Sequence, residues 1–223
     1  MNAYQPDTII HGDCVRILPA LPAGSVDFVL SDPPYLTSYT PRDGRTVPGD
    51  DNDAWLKPAF AGIYRALQPD SFCVTFYGWP HADRFVAAFR AAGFRPVGHL
   101  TFTKPYSSTA KYLRGHHECA YLLAKGYPRR PGQPISDVIP WAYSGNKLHP
   151  TQKPLSVLSP LVEAFSAPGD LVLDAFAGSG STLVAAQSLG RRYLGIEIDA
   201  GYHAAAARRL EQAAAPSRTE ATA

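Results

Sequence analysis

Two strand-to-loop junctions constrain this chain more than any other feature. Val26-Asp27-Phe28-Val29-Leu30 runs straight into Ser31-Asp32-Pro33-Pro34-Tyr35, and Leu171-Val172-Leu173 runs straight into Asp174-Ala175-Phe176-Ala177-Gly178-Ser179-Gly180-Ser181-Thr182. Unbroken apolar runs of this kind suit buried strands of a parallel sheet. In an open α/β sheet, ligands sit at the carboxyl ends of the strands, so two such loops predict two ligands meeting at one sheet edge.

The rest of the chain alternates accordingly. Strands are expected at 9–11, 26–30, 72–77, 96–103, 118–124, 170–174 and 192–197. Helices are expected at 15–21, 54–67 (capped by Asp53), 82–92 (closed by Gly93), 155–166, 181–189 and 200–211 (capped by Asp199). Residues 36–53 and 126–148 are rich in Pro, Gly, Ser, Thr and Asp without periodicity, and read as a long functional loop and an irregular recognition insertion. The tail 213–223 is small and polar and reads as disordered. With no internal repeat, this is one α/β domain with a mostly parallel sheet.

The later junction has the form of a nucleoside site. Gly178 and Gly180 let backbone approach a ligand, Ser181 and Thr182 open a helix, and Asp174 ends the strand beside them. Seventeen residues after Gly180, the next strand ends in Glu197, an acid placed to accept hydrogen bonds from ribose hydroxyls. Leu183 stands where the dinucleotide fingerprint has its third glycine, so a nucleoside fits better than a dinucleotide. At the earlier junction, two prolines stiffen the chain, so the Asp32 carboxylate and Pro33 carbonyl form adjacent acceptors with the Tyr35 ring as a flat stacking surface. That set suits a planar ring bearing an exocyclic amine. The alternative for each loop taken alone is an ordinary turn.

Net charge is only +2, yet between residues 104 and 153 eight basic residues face Glu118 and Asp137 alone. Such asymmetry points to a polyanionic partner or, equally on charge alone, to a solvated basic face.

These motifs carry a resemblance. Gly12-Asp13, the Asp32–Tyr35 loop, Asn146-Lys147-Leu148-His149-Pro150-Thr151-Gln152-Lys153-Pro154, Phe176-Ala177-Gly178-Ser179-Gly180 and Gly195-Ile196-Glu197-Ile198-Asp199 occur in the order of the β subgroup of DNA amino-methyltransferases. The similarity runs from His11 to about Leu210. It implies a Rossmann-like, doubly wound methyltransferase domain over residues 1–212, with a DNA-contacting insertion at about 104–148. It also implies S-adenosylmethionine as cofactor, with Asp13, Asp32, His149, Thr151, Lys153, Asp174, Phe176, Ala177, Gly178, Gly180 and Glu197 around it. Asp32, Pro33, Pro34 and Tyr35 would be catalytic, acting on the N6 amine of an adenine flipped out of double-stranded DNA. Lys104, Lys111, Arg114, Arg129 and Arg130, with the 36–53 loop, are the expected DNA contacts. Departures are slight: Ala175 stands where proline is common, and the recognition segment is short. The alternatives are cytosine N4 methylation, a protein-glutamine methylase (whose motif usually begins with asparagine) and a catalytically silent cofactor- and DNA-binding module.

Three scattered cysteines, Cys14, Cys73 and Cys119, suit packing in a reducing compartment, and no metal site is expected. No apolar run reaches membrane-span length, so a soluble, cytoplasmic protein is expected. Trp55 and Trp79 read as core residues, and Trp141 as the best stacking candidate of the three. His116 and His117 read as one surface and one inward histidine, and Asp50 to Asp53 as solvated caps. A symmetric dimer is the assembly expected of so short a recognition segment, a monomer of relaxed specificity being the alternative.

Overall fold

The computed structural model describes residues 5–37, 48–109, 112–141 and 153–214. Its strands are β1 (Thr8–His11), β2 (Phe28–Ser31), β3 (Ser71–Phe76), β4 (Arg95–Thr109), β5 (Arg114–Lys125), β6 (Val138–Pro140), β7 (Leu171–Asp174) and β8 (Arg192–Glu197). Its helices are α1 (Cys14–Ile17), α2 (Leu56–Ala66), α3 (Ala82–Ala92), α4 (Leu155–Phe165), α5 (Ser181–Ser188) and α6 (Ala200–Ala214).

These strands join one sheet in the order β1-β8-β7-β2-β3-β5-β4-β6. Pairing is parallel except on the two sides of β5, so β5 alone among them runs against the others. The expected mostly parallel, doubly wound sheet is therefore present. Every residue of β2 and β7 is buried, because these central strands are covered on both faces. One face sends Val29, Cys73 and Leu173 against Leu18, Phe60, Ile63 and Phe89. The other sends Phe28, Leu30, Val74 and Val172 against Val157, Leu161 and Leu183. Each large apolar side chain among them contributes about 1.5–3 kcal/mol on burial.

Helix α3 and strand β8 fall where the sequence places them. Gly93, at φ +103°, stops α3 in a left-handed conformation that a side chain would resist. Elsewhere tertiary contacts overrule the local pattern. Strands β4 and β5 are longer than expected, forming a hairpin whose register shifts between Thr103 and Ser108. Pro105 lies in that shift and cannot donate to a ladder, so a bulge accommodates it.

The 126–148 stretch is not wholly irregular: β6 pairs with β4, burying Ile139 and Trp141. Asp53 does not cap α2; Trp55 holds that position without a side-chain cap, and Asp53 meets Arg84 at 3.2 Å. Asp50 is buried rather than solvated, accepting from the Thr37 amide at 3.2 Å. Trp79 is 81% exposed, contrary to the core reading, and both His116 and His117 are exposed. Asp199 does cap α6, through the Tyr202 amide at 2.9 Å. That helix continues through residue 214, so the expected tail starts later than 213, and residues 215–223 lie outside the described residues. Among the described residues no helix is long and apolar enough to cross a membrane.

Candidate active site

Strands β2 and β7 are neighbours at the centre of the sheet, and the chain adds strands in opposite directions from them: β2 to β3 on one side, β7 to β8 on the other. A crevice opens at such a switch point because the two following connections leave toward opposite faces. Here it is a cleft of about 620 Å³ lined by both loops, by Gly12–Val15 after β1, and by Trp55, Lys153, Glu197 and Tyr202.

One end of the cleft is built from the later loop. Gly178 and Gly180 take φ +51° and +78°, and a side chain at Gly180 would meet the Ala206 Cβ at 2.9 Å. Glu197, buried at the end of β8, accepts from the Gly178 amide and the Asp199 amide, each at 2.7 Å. Burial raises its carboxyl above the usual range, although those amides oppose the shift. Asp174 is 2% exposed and accepts from the Phe176 amide at 3.1 Å. Burial pushes it up to about 7. Phe176 packs edge-on against Trp55, ring centres 5.1 Å apart. Asp13 has two tasks: it lines the cleft and caps α1 through the Val15 amide at 2.9 Å. Among the described residues the cleft lining holds Asp13, Asp32, Asp50, Asp174 and Glu197 against the single cation Lys153, a balance that favours a positively charged ligand.

The other end is built from the earlier loop and two elements remote in sequence. Asp32 Oδ1 accepts from the Tyr35 hydroxyl at 2.9 Å, and Oδ2 from Lys153 Nζ at 2.6 Å. Glu118, on β5, faces the same pair: its Oε2 lies 3.2 Å from the Tyr35 hydroxyl and 3.2 Å from Lys153 Nζ. Its Oε1 binds Lys104 Nζ. Two ammonium groups thus balance two carboxylates, as a group taken out of water requires. Aromatic faces line both cations: Lys153 lies 4.8 Å from the Phe76 ring centre, and Lys104 4.8 Å from that of Trp141.

Burial raises the Asp32 carboxyl, Lys153 lowers it and Glu118 raises it again, leaving it above the usual carboxylate range. For Glu118, burial also opposes ionisation, but Lys153 and Lys104 outweigh it and hold the group below its ordinary value. Lys153 is held above its own by Asp32 and Glu118, against burial. Both carboxylates and the Lys153 ammonium are therefore charged at neutral pH, leaving Asp32 a hydrogen-bond acceptor.

Of the residues singled out from sequence, Asp13, Asp32, Pro33, Pro34, Tyr35, Lys153, Asp174, Phe176, Ala177, Gly178 and Glu197 share this one cleft, with Gly180 in the turn beneath it. His149, Thr151 and Lys111 lie outside the described residues. Lys104 is not a surface cation awaiting phosphate: its side chain is 12% exposed and is paired with Glu118. Arg114 is exposed on β5. Arg129 and Arg130 are exposed but follow the far end of β5, where Arg129 borders a hollow with Asp27, Asp70 and Asp170. Because β5 is reversed, that end lies at the sheet edge opposite the cleft.

Sequence reasoning missed Glu118 and Gly78. Glu118 had one signal, as one of two acids in an otherwise basic stretch. Gly78 had none: a Cβ there would fall 2.2 Å from the Tyr35 carbonyl oxygen. Cys14 and Cys73 are buried, and burial pushes the Cys14 thiol up to about 12, unsuited to a nucleophile. Among the described residues no His, Cys, Asp and Glu cluster forms a metal site.

Comparison with known proteins agrees with this geometry. A family model described as DNA methylase, of the N6/N4 type, matches residues 26–208. "Putative methylase YubD" of Escherichia coli (strain K12) is 55% identical over 201 residues, covering 90% of this chain and 88% of that protein. "DNA adenine methyltransferase YhdJ" of the same organism is 29% identical over 252 aligned positions, covering 96% and 85%. Among solved structures, the DNA modification methylase TTHA0409 of Thermus thermophilus, complexed with S-adenosyl-L-methionine, superposes with a TM-score of 0.71 at 26% identity over 92% of this chain and 93% of that one. The cytosine-N4-specific PvuII DNA methyltransferase superposes with a TM-score of 0.75 over 95% and 92%, and at 18% identity it shares the fold alone.

Proposed function

The chain belongs to the DNA methylase family, and on that premise we propose that it transfers a methyl group from S-adenosylmethionine to the exocyclic N6 of an adenine flipped out of duplex DNA. The observation that carries the reading is the convergence of the acid-lined nucleoside end and the Asp32–Tyr35 loop in one cleft. The cofactor is a cation bearing ribose and adenine, and the residues present fit it. Glu197 is placed for the ribose hydroxyls, Asp13 for the adenine edge, and Asp174 with the Gly178 backbone for the amino-acid portion. Bound there, it supplies an electrophilic methyl group.

The chain's own residues supply orientation. Asp32 and the Pro33 carbonyl accept the two N–H bonds of the target amine, drawing its lone pair out of the ring toward the methyl group. Tyr35 offers its face to the extruded base, offsetting part of the unstacking cost. No covalent enzyme intermediate is required; positioning and electrostatics carry the rate.

Asp at the head of the loop and the adenine methyltransferase relative both favour adenine. Cytosine N4 is the second reading, since the same fold serves a cytosine-N4 enzyme. The catalytic domain is taken as residues 1–212, with the DNA-reading part of the 104–148 insertion narrowed to the outer end of the β4–β5 hairpin. There Arg114 accompanies Tyr112 and Leu113, which are 94% and 77% exposed.

The test is to incubate the protein with DNA and isotopically labelled cofactor, then hydrolyse the DNA and identify the modified base by mass spectrometry. N6-methyladenine is expected; N4-methylcytosine selects the second reading, and no labelled base defeats both in favour of a silent binding module. Asp32→Ala should abolish transfer while leaving calorimetric cofactor affinity within a few-fold of wild type, since Glu197 and Asp174 remain.

A further inference from the structure

The Tyr35 hydroxyl carries one proton yet lies within reach of two carboxylate oxygens, Asp32 Oδ1 at 2.9 Å and Glu118 Oε2 at 3.2 Å. It can donate to only one at a time. Lys153 is shared in the same way, 2.6 Å from Asp32 and 3.2 Å from Glu118. In this state both oxygens of Asp32 already accept a hydrogen bond. A target amine needs that same carboxylate, and every additional donor on it draws charge from the bond the amine requires.

We propose that Glu118 is a positioning residue for methyl transfer: it receives the Tyr35 hydroxyl, and a larger share of Lys153, when the target amine docks on Asp32. The inference rests on the function proposed above. The exchange needs only rotation about the Tyr35 C–O bond, because the second acceptor is already in place. No buried donor or acceptor of this cluster is left unpaired at either stage, and a hydroxyl stranded without a partner would otherwise oppose substrate entry. Lys104, bound to the far oxygen of Glu118 and backed by the Trp141 ring, keeps Glu118 charged and fixed. The side chain of Glu118 is 22% exposed, and the residue is not part of the cleft lining, so it acts through its neighbours rather than on either ligand.

The exchange makes a prediction that a passive structural clamp does not. Glu118→Gln replaces an ionised acceptor by a weaker neutral one, so the hydroxyl stays on Asp32 and competes with the amine. Single-turnover transfer should slow by about tenfold or more, with cofactor affinity and melting temperature near wild type. Tyr35→Phe, which keeps the ring and deletes the competing hydroxyl, should then raise the rate in the Glu118→Gln background. Glu118→Asp, which keeps the charge but withdraws the oxygen, should show the same rescue if the amide variant folds poorly. In the wild type, the Tyr35 hydroxyl resonance followed by NMR should shift on adding a target oligonucleotide, and in Glu118→Gln it should not. Losses that multiply in the double variant, with wild-type transfer intact, overturn the exchange and leave the function standing. A wild-type protein that labels no DNA base overturns both.

Discussion

Asp174 shows how one buried side chain ties the cofactor end of the cleft to pH. Burial holds its carboxyl at about 7, against an ordinary value of 3.8. In the folded, ligand-free protein it therefore keeps its proton to higher pH than it would unfolded. Its contribution to stability is complete below the unfolded value and is lost as pH rises through about 7. A cationic ligand reverses the preference by favouring the ionised carboxylate, so binding should expel a proton. Cofactor affinity is expected to weaken as pH falls below 7, by at most about tenfold per unit, and Asp174→Asn should flatten that profile and weaken binding above it. Calorimetric titrations in buffers of different ionisation enthalpy measure both proton release and affinity; a flat wild-type profile would remove Asp174 from the ligand. At this scale the sequence was legible wherever a residue belongs to a local motif. Asp32, Asp174 and Glu197 each end a strand and enter a recognisable turn. Glu118 was not legible, because its role depends on partners 14, 83 and 35 positions away, Lys104, Tyr35 and Lys153.

Among the elements, β3 and its exit turn support the catalytic loop. Gly78 has ordinary extended backbone angles, so its requirement is steric: a methyl group there would strike the Tyr35 carbonyl oxygen. Gly78→Ala should displace the Asp32–Tyr35 loop, cutting methyl transfer at least tenfold at a stability cost of about 1–3 kcal/mol typical of overpacking. Transfer assays beside thermal melts test this, and an unaffected rate would show that the loop absorbs the change. The β4–β5 hairpin is the second case. Side chains of a strand alternate, so Arg114 and His116 share the face of Glu118 and extend roughly 13 Å outward from it. Replacing both by alanine should weaken DNA binding and lower its salt dependence, whereas Arg129→Ala with Arg130→Ala should leave the salt slope unchanged. Binding isotherms at several salt concentrations give both slopes; the reverse outcome would return the contact surface to the far edge. The hairpin's length was hidden because a proline-bearing bulge interrupts its alternation. By contrast α3, bounded by Gly93, was readable to the residue.

For the molecule as a whole, the cleft is complete within one chain, while the surface available to grip DNA is narrow. A single DNA-reading module buries about 600–1,000 Å² of protein surface. The outer end of one hairpin is small beside that, so a symmetric dimer with two hairpins spanning two half-sites is the expected assembly on DNA. Light scattering at assay concentration, with and without DNA, should give twice the chain mass of 24.1 kDa, and full activity from a singly bound monomer would oppose it. The sequence by itself determined the alternation of strands and helices, the two ligand loops and the carboxylates at their tips. All of these are written in runs of neighbouring residues whose burial and turn chemistry are local. Only the tertiary structure decided that β5 runs against its neighbours. That reversal carries Glu118 and the adjoining Lys104 to the catalytic edge and Arg129 and Arg130 to the opposite one. The physical reason is that strand direction and order follow from which faces can be covered together, a condition set by residues far apart in the chain.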